Sequence, residues 1–291
     1  MMPELPEVET ISQQLDHTLK GLKISQIEIL SRKNFVGKVA EVLGKKVEGV
    51  SRRAKIILIR LSGDKYLAVH LKLTGQLIYR ESAERKVHGT EKYCEQKDGP
   101  FAVCELPNKY TTVVVSFSNG GKLFFNDLRK FGWMKVVGNL GELGEEKLGP
   151  EANDEKSFTL DYFRSILSKS RKPVKLVIMD QEKLAGVGNI YANEALFMAG
   201  ISPLRTAMSL SEKEIKILRE SILKILKEAI KHKGTSDTDE AYRQISGEKG
   251  TFQNYLQVYG RDGEKCPQCG GLVKRIKIGG RGTFYCPSCQ K

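Results

Sequence analysis

Cys266-Pro267-Gln268-Cys269, followed after sixteen residues by Cys286-Pro287-Ser288-Cys289, closes the chain with two tight cysteine pairs. Each Cys-x-x-Cys turn folds back sharply enough to place two thiolates on one metal, and two such turns complete a tetrahedral four-thiolate site. Four protein thiolates leave no open coordination position, so the metal expected on Cys266, Cys269, Cys286 and Cys289 is one structural Zn2+. Between the pairs, Val273 to Ile278 and Thr283 to Tyr285 read as two strands. They turn at Gly279-Gly280-Arg281-Gly282, a tip rich enough in glycine to approach another molecule closely. From Glu264 to Lys291, six Lys or Arg less one Glu leave about +5, suited to phosphate. The module alone is equally compatible with a purely structural staple.

The rest of the chain shares this basic balance. Forty-eight Lys and Arg against 35 Asp and Glu give a net charge of +13 over 291 residues, which favours a polyanionic partner. No stretch approaches 18 consecutive apolar residues, and the acidic start lacks a signal-peptide flank. No membrane partner and a cytoplasmic location are therefore expected. A long, lysine-rich chain does not suit a disulfide scaffold, so Cys94 and Cys104 read as free loop thiols.

Val8, Ile11, Leu15 and Leu19 recur at helical spacing, with Pro6 in the first turn and Gly21 as a stop. From Leu22 to Val137 short apolar runs take over: Lys55 to Leu61, Tyr66 to Leu71, Thr112 to Phe117 and Lys122 to Phe125. Their number suggests a sandwich or barrel, interrupted by a polar surface excursion from Glu81 to Lys109. Gly149-Pro150 and the polar stretch behind it mark a domain boundary. Beyond it, a helix runs from Ser211 to about His232, with Ser211 and Glu214 as a capping box. Residues 234–250 have few apolar anchors and read as a mobile loop. The fold class expected is α+β multidomain: a β-sandwich domain with an opening helix over 1–149, a helical domain over 150–263 and a zinc finger over 264–291.

At the amino terminus, Pro3-Glu4-Leu5-Pro6-Glu7 is by itself only a capped helix start. If the chain is processed to begin at Pro3, its secondary amine becomes a nucleophile near neutral pH, able to form an iminium with an aldehyde-like sugar carbon. The positive end of the helix disfavours the protonated amine, and Glu4 is the adjacent candidate proton shuttle. Farther on, Gly186-Val187-Gly188-Asn189 reads as a glycine turn in which Asn189 caps a helix, a place where free N–H groups also meet phosphate.

Several blocks together resemble the formamidopyrimidine-DNA glycosylase family over nearly the whole chain. They are Pro3 to Thr10, Arg52 to Lys55, His70 to Gly75, Asp127 to Gly132, Leu184 to Glu194, Phe252 to Arg261 and the cysteine hairpin. The resemblance implies an N-terminal β-sandwich, a helix-two-turns-helix domain with a lesion-recognition loop near 234–250, and a zinc-finger hairpin. The partner implied is damaged double-stranded DNA, bound by a monomer. Residue by residue, it makes Pro3 the Schiff-base nucleophile, Glu4 the acid assisting sugar-ring opening, Lys55 the donor associated with β-elimination, and Arg281 that associated with δ-elimination.

An enzyme acting on a base within a duplex must flip it out. The resemblance assigns Leu73, Arg129 and Phe131 to filling the void, with Phe131 wedging into the stack and Arg129 addressing the orphaned cytosine. Leu73 stands where methionine is usual. Taken alone, Phe131 reads as a buried strand-end aromatic and Lys55 as a basic group opening a strand. His70, Tyr110, Asn189, Tyr259 and Arg275 complete the DNA-contact set. Two alternatives stay open: an endonuclease VIII-like glycosylase for oxidised pyrimidines, and a non-catalytic zinc-ribbon protein that binds nucleic acid.

Overall fold

The computed structural model describes residues 2–82, 105–236 and 242–291. Most of the Glu81 to Lys109 excursion, including Cys94 and Cys104, lies outside the described residues. The chain divides into two compact units: Met1–Glu145 with His232–Gln253, and Glu146–Lys231 with Asn254–Lys291.

The first unit opens with helix α1 (Leu5–Leu19). Its buried stripe of Val8, Ile11, Leu15 and Leu19 enters the main core. At about 1.5–3 kcal/mol per buried aliphatic side chain, this stripe outweighs the cap, worth about 1 kcal/mol, as the reason the helix forms. Among the described residues nine strands follow: β1 (Ile24–Ile29), β2 (Phe35–Val36), β3 (Val47–Arg53), β4 (Ile56–Leu61), β5 (Lys65–His70), β6 (Gly75–Arg80), β7 (Thr111–Phe117), β8 (Lys122–Asp127) and β9 (Trp133–Val137). They form a four-stranded sheet in the order β1-β7-β8-β6 and a five-stranded sheet in the order β2-β9-β5-β4-β3. Alternate residues such as Ile57, Ile59, Val69, Val113, Leu123 and Phe125 fill the shared core, while Ile56, Leu58, Ala68 and Val137 make a smaller cluster on the other face.

The described residues of the 232–253 stretch, assigned to the helical domain by the sequence, group with this first unit instead. The expectation of a mobile loop with few apolar anchors also gives way on its described flank, because Tyr242 and Ile245 are buried in the same core as α1. The Tyr79 N–H donates to the Ile245 carbonyl at 2.8 Å, on the side of β6 that forms the sheet edge among the described strands. Residues 237–241 lie outside the described set.

The second unit holds α2 (Leu160–Ser168), α3 (Val174–Ile178), α4 (Asn189–Met198), α5 (Glu212–Lys231) and the hairpin β10 (Lys274–Ile278) and β11 (Arg281–Tyr285). The Ser211-Glu214 capping box is present, with the Ser211 N–H donating to Glu214 at 2.8 Å. Ile215, Leu218, Ile222 and Leu226 form the buried face of α5.

Candidate active site and nucleic-acid interface

Pro3 and Glu4 are both buried at the start of α1, Glu4 being 2% exposed. Glu7 reaches back one turn, and its carboxylate accepts the Glu4 N–H at 2.8 Å. The same helix fixes a second candidate group, because Glu9 pairs with Arg52 at 2.6 Å and Arg52 also donates to the Ala54 carbonyl at 3.2 Å. Ala54 and Lys55 make the two-residue turn between β3 and β4, where Arg53 pairs with Ile56. Lys55 is thus a turn residue and not the first residue of a strand, and it is buried. Ala54 takes a left-handed φ of 51°, which costs any side-chain-bearing residue about 1 kcal/mol or more.

Register places the next candidate beside that turn, since Ile56 pairs with His70 at the end of β5. The Lys72 N–H donates to His70 Nδ1 at 3.0 Å. Burial, with the ammonium groups of Lys72 and Lys55, holds the imidazole down to about 3. His70 is therefore neutral with its proton on Nε2, a donor suited to a phosphate oxygen.

Two loops come together next. Leu73, half-buried, sits in a turn closed by the Gly75 N–H donating to the Leu71 carbonyl at 2.9 Å. A Cβ on Gly75 would lie 2.5 Å from that oxygen, so only glycine fits. Thr74 donates its hydroxyl to the buried carboxylate of Asp127 at the end of β8. Asp127 also accepts the N–H of Arg129 at 3.1 Å and of Gly132 at 2.6 Å. Arg129 and Phe131 consequently project outward, and Phe131 is 53% exposed. The reading of Phe131 as a buried strand-end aromatic fails, because the turn held by Asp127 directs the ring to solvent. Tyr110 is half-buried and anchored through its carbonyl, which accepts the Asp127 N–H at 2.9 Å.

In the second unit the finger hairpin is held from beneath. Lys175, fully buried, donates to Thr283 Oγ1 at 2.7 Å and to the Gly282 carbonyl at 3.1 Å. Asn189 donates to the same carbonyl at 3.1 Å. It is the first residue of α4, while Gly188 occupies the cap position; the expected Asn189 cap is corrected accordingly. Without that duty its side chain serves the hairpin. Arg281 and Arg275 are exposed, Arg275 lying over the Phe284 ring at 5.6 Å. Tyr259 packs edge-on against Phe284 at 5.0 Å. Its backbone N–H, with those of Gln257 and Val258, donates to the buried Glu194 carboxylate at 2.8 to 3.0 Å.

The four cysteine sulfurs lie within 4.8 Å of one another. Cys266 and Cys289 are 3.7 Å apart, and Cys269 and Cys286 are 3.5 Å apart. An ion bonded to each sulfur at about 2.3 Å in a tetrahedron sets sulfur–sulfur edges of about 3.8 Å, so the residues present fit zinc.

Family models match in series along the chain: the formamidopyrimidine-DNA glycosylase N-terminal domain over 2–134, its H2TH domain over 148–240, and the zinc finger found in FPG and IleRS over 263–291. The formamidopyrimidine-DNA glycosylase of Pelotomaculum thermopropionicum is 38% identical over 301 residues, spanning 100% of this chain and 99% of the relative. That of Herpetosiphon aurantiacus is 38% identical over 296 residues, spanning 99% and 100%. The chain belongs to the formamidopyrimidine-DNA glycosylase family.

Solved members of the family agree in fold. The MutM (Fpg) protein of Thermus thermophilus superposes with a TM-score of 0.84 at 36% identity, covering 99% of this chain and 98% of that one. Lactococcus lactis Fpg, solved with DNA containing an abasic site, gives 0.84 at 33% identity over 99% and 100%. Membership makes the four-cysteine centre the family's structural zinc finger. Among the described residues no helix is long and apolar enough to cross a membrane.

The structure also brings forward residues that the sequence did not single out. Glu7, Thr74, Asp127, Lys175 and Glu194 are buried, and each fastens a loop bearing a candidate residue. An acid, lysine or threonine buried against a distant backbone leaves no periodic trace. The one available hint was the position of Asp127 at the end of an apolar strand, five residues before a glycine.

Proposed function

We propose that this chain is a bifunctional DNA glycosylase that excises oxidised purines, 8-oxoguanine and formamidopyrimidines, from duplex DNA and then cleaves the abasic site during base excision repair. The observation that carries the reading is the buried Pro3-Glu4 pair at the head of α1, in a chain matching this family from end to end. Two relatives point to the substrate class: Lactococcus lactis Fpg has been solved with abasic-site DNA and with Fapy-dG DNA. The working location in this reading is the cytoplasm, on the nucleoid, and the working form is a monomer.

With the chain processed to begin at Pro3, the Pro3 nitrogen attacks C1′ of the flipped nucleotide as the glycosidic bond breaks, and the base leaves with its electron pair and takes up a proton. Glu4 delivers a proton to the ring oxygen, so the sugar opens and Pro3 holds C1′ as an iminium. That electron sink acidifies C2′, and loss of its proton expels the 3′ phosphate in β-elimination. A second elimination expels the 5′ phosphate. Lys55, buried beside His70, and Arg281, exposed at the hairpin tip, are the groups assigned to these two departures. Leu73, Arg129 and Phe131 fill the space left by the extruded nucleotide. His70, Tyr110, Asn189, Tyr259 and Arg275 hold the backbone. Zinc on the four cysteines supplies no reaction chemistry and fixes the hairpin that presents Arg281.

Borohydride reduces an iminium to a stable amine, so it should lock the protein to DNA containing 8-oxoguanine opposite cytosine, with peptide mapping placing the adduct on Pro3. A chain engineered to keep both methionines should bind DNA without crosslinking, since an amide nitrogen has no available lone pair. Trapping on a lysine overturns the assignment of the nucleophile. Faster release of oxidised pyrimidines favours the endonuclease VIII-like reading, and no trapping with a confirmed Pro3 terminus favours a binding protein.

A further inference from the structure

We propose that Glu7 is a positioning residue for base excision, whose single carboxylate fixes both the Pro3-Glu4 end of the chain and the root of the 234–250 loop. The inference rests on the glycosylase reading above, in which that loop addresses the flipped base. Glu7 is 2% exposed, and each of its oxygens serves one of the two elements. One accepts the Glu4 N–H at 2.8 Å and the other accepts the Thr235 N–H at 2.8 Å. Beside Thr235, Gly234 has a φ of +75°, and a Cβ there would lie 2.8 Å from the same Glu7 oxygen. No larger residue lets the loop root approach so closely.

The other root of the loop is tied to the same helix. Gln14 donates to the Gln244 side chain at 2.6 Å and accepts the Ile245 N–H at 3.3 Å. Ser236 and Tyr242 close the base, hydroxyl to carbonyl, at 2.9 Å. Burial pushes the Tyr242 phenol well up, and the Glu7 carboxylate adds to the shift, as expected of an anion nearby. Helix α1 therefore ties the Pro3-Glu4 end at its head to both described flanks of the loop. A carboxylate suits the Glu7 position because it accepts twice and donates nothing. Glutamine offers one accepting oxygen, and its amide nitrogen cannot accept the second N–H.

Glu7→Gln in native protein beginning at Pro3 should slow single-turnover excision of 8-oxoguanine by about 10–100-fold, the loss typical of a displacement near 1 Å. Cleavage of a preformed abasic site, which presents no base for the loop to hold and keeps only the dependence on the Pro3-Glu4 end, should fall less. Gly234→Ala, which leaves both Glu7 hydrogen-bonding oxygens intact but crowds the loop root, should show the same split. If the two act through one contact, the double variant should be no worse than the poorer single variant. An active parent with equal losses on both substrates, no loss on either, or additive losses in the double variant overturns the coupling alone. A parent that fails to trap and cleave overturns the glycosylase reading and the coupling with it.

Discussion

Thr74 donates its hydroxyl to the Asp127 carboxylate across a sequence separation of 53 residues, and the bond joins the Leu73 turn to the Arg129-Phe131 loop. The Arg129 N–H completes the junction, reaching Thr74 Oγ1 at 3.0 Å and Asp127 Oδ1 at 3.1 Å. The three side chains assigned to the void left by a flipped nucleotide thus stand on one hydrogen-bonded knot. Thr74→Val preserves shape and removes the hydroxyl, leaving part of a buried carboxylate unsatisfied. It should cost about 1–3 kcal/mol of stability and slow base excision from duplex DNA more than strand cleavage at a preformed abasic site. Urea midpoints and paired single-turnover assays check this; unchanged stability sinks the knot.

Phe131 is the exposed aromatic of that loop, with Lys33 over its ring at 5.4 Å. Phe131→Ala should leave stability nearly unchanged, because little buried area is lost. It should impair excision from intact duplex more than abasic-site cleavage, since a missing base already lowers the cost of unstacking. The ratio of the two losses is the measurement. Parent-like activity on both substrates removes Phe131 from the interface.

What the sequence made legible follows from the range of its signals. Helical spacing in Val8 to Leu19, the capping box at Ser211 and the paired cysteines are local patterns, and each stands in the structure. Residues 234–250 show few apolar anchors in sequence because Gly, Ser, Thr, Asp and Glu dominate. Tyr242 and Ile245 nevertheless enter a core whose other members lie far away along the chain. Glu7 and Thr235 meet across a separation of 228 residues, and Lys175 meets Thr283 across 108. Such pairs are fixed by tertiary packing, and no short window of sequence contains both partners.

His70 carries a pH signature of its own. Burial and the charges of Lys72 and Lys55 depress the imidazole to about 3, against about 6.5 in an unfolded chain. The unfolded chain takes up a proton below about pH 6.5 that the native state refuses, so this residue lowers stability as pH falls from there towards 3. His70→Gln should make the decline in urea midpoint between pH 7 and pH 5 shallower than the parent's. Its DNA affinity should also fall, because the glutamine amide does not hold its donor where the imidazole Nε2–H stands. Parallel slopes in parent and variant discard the depressed imidazole.

Metal removal offers the last test, because the finger hairpin is held from two sides. Its root is pinned without the ion: Phe284 N–H to Asn193 at 2.9 Å, Gln290 to the Ile201 carbonyl at 2.9 Å, and Lys175 to Thr283 at 2.7 Å. The 266–272 knuckle is tied within itself and to its own flanks, by the Cys266 N–H to the Gly271 carbonyl at 2.6 Å, the Gly270 N–H to the Cys266 carbonyl at 2.9 Å and the Val273 N–H to the Glu264 carbonyl at 3.0 Å. Four sulfurs this close repel one another as thiolates unless a cation lies among them. Cys269→Ala should therefore lose zinc, loosen the hairpin and weaken DNA binding, while α5 and the rest of the second unit keep their helical signal. Elemental analysis should find one zinc per parent chain and proteolysis should cut the variant first beside the knuckle, between Lys265 and Lys274. Cleavage that persists at an abasic site should shift from β,δ- towards β-elimination products as Arg281 loses its station. Full DNA affinity in a zinc-free variant, or early cutting within α5 instead of beside the knuckle, defeats this account of the metal.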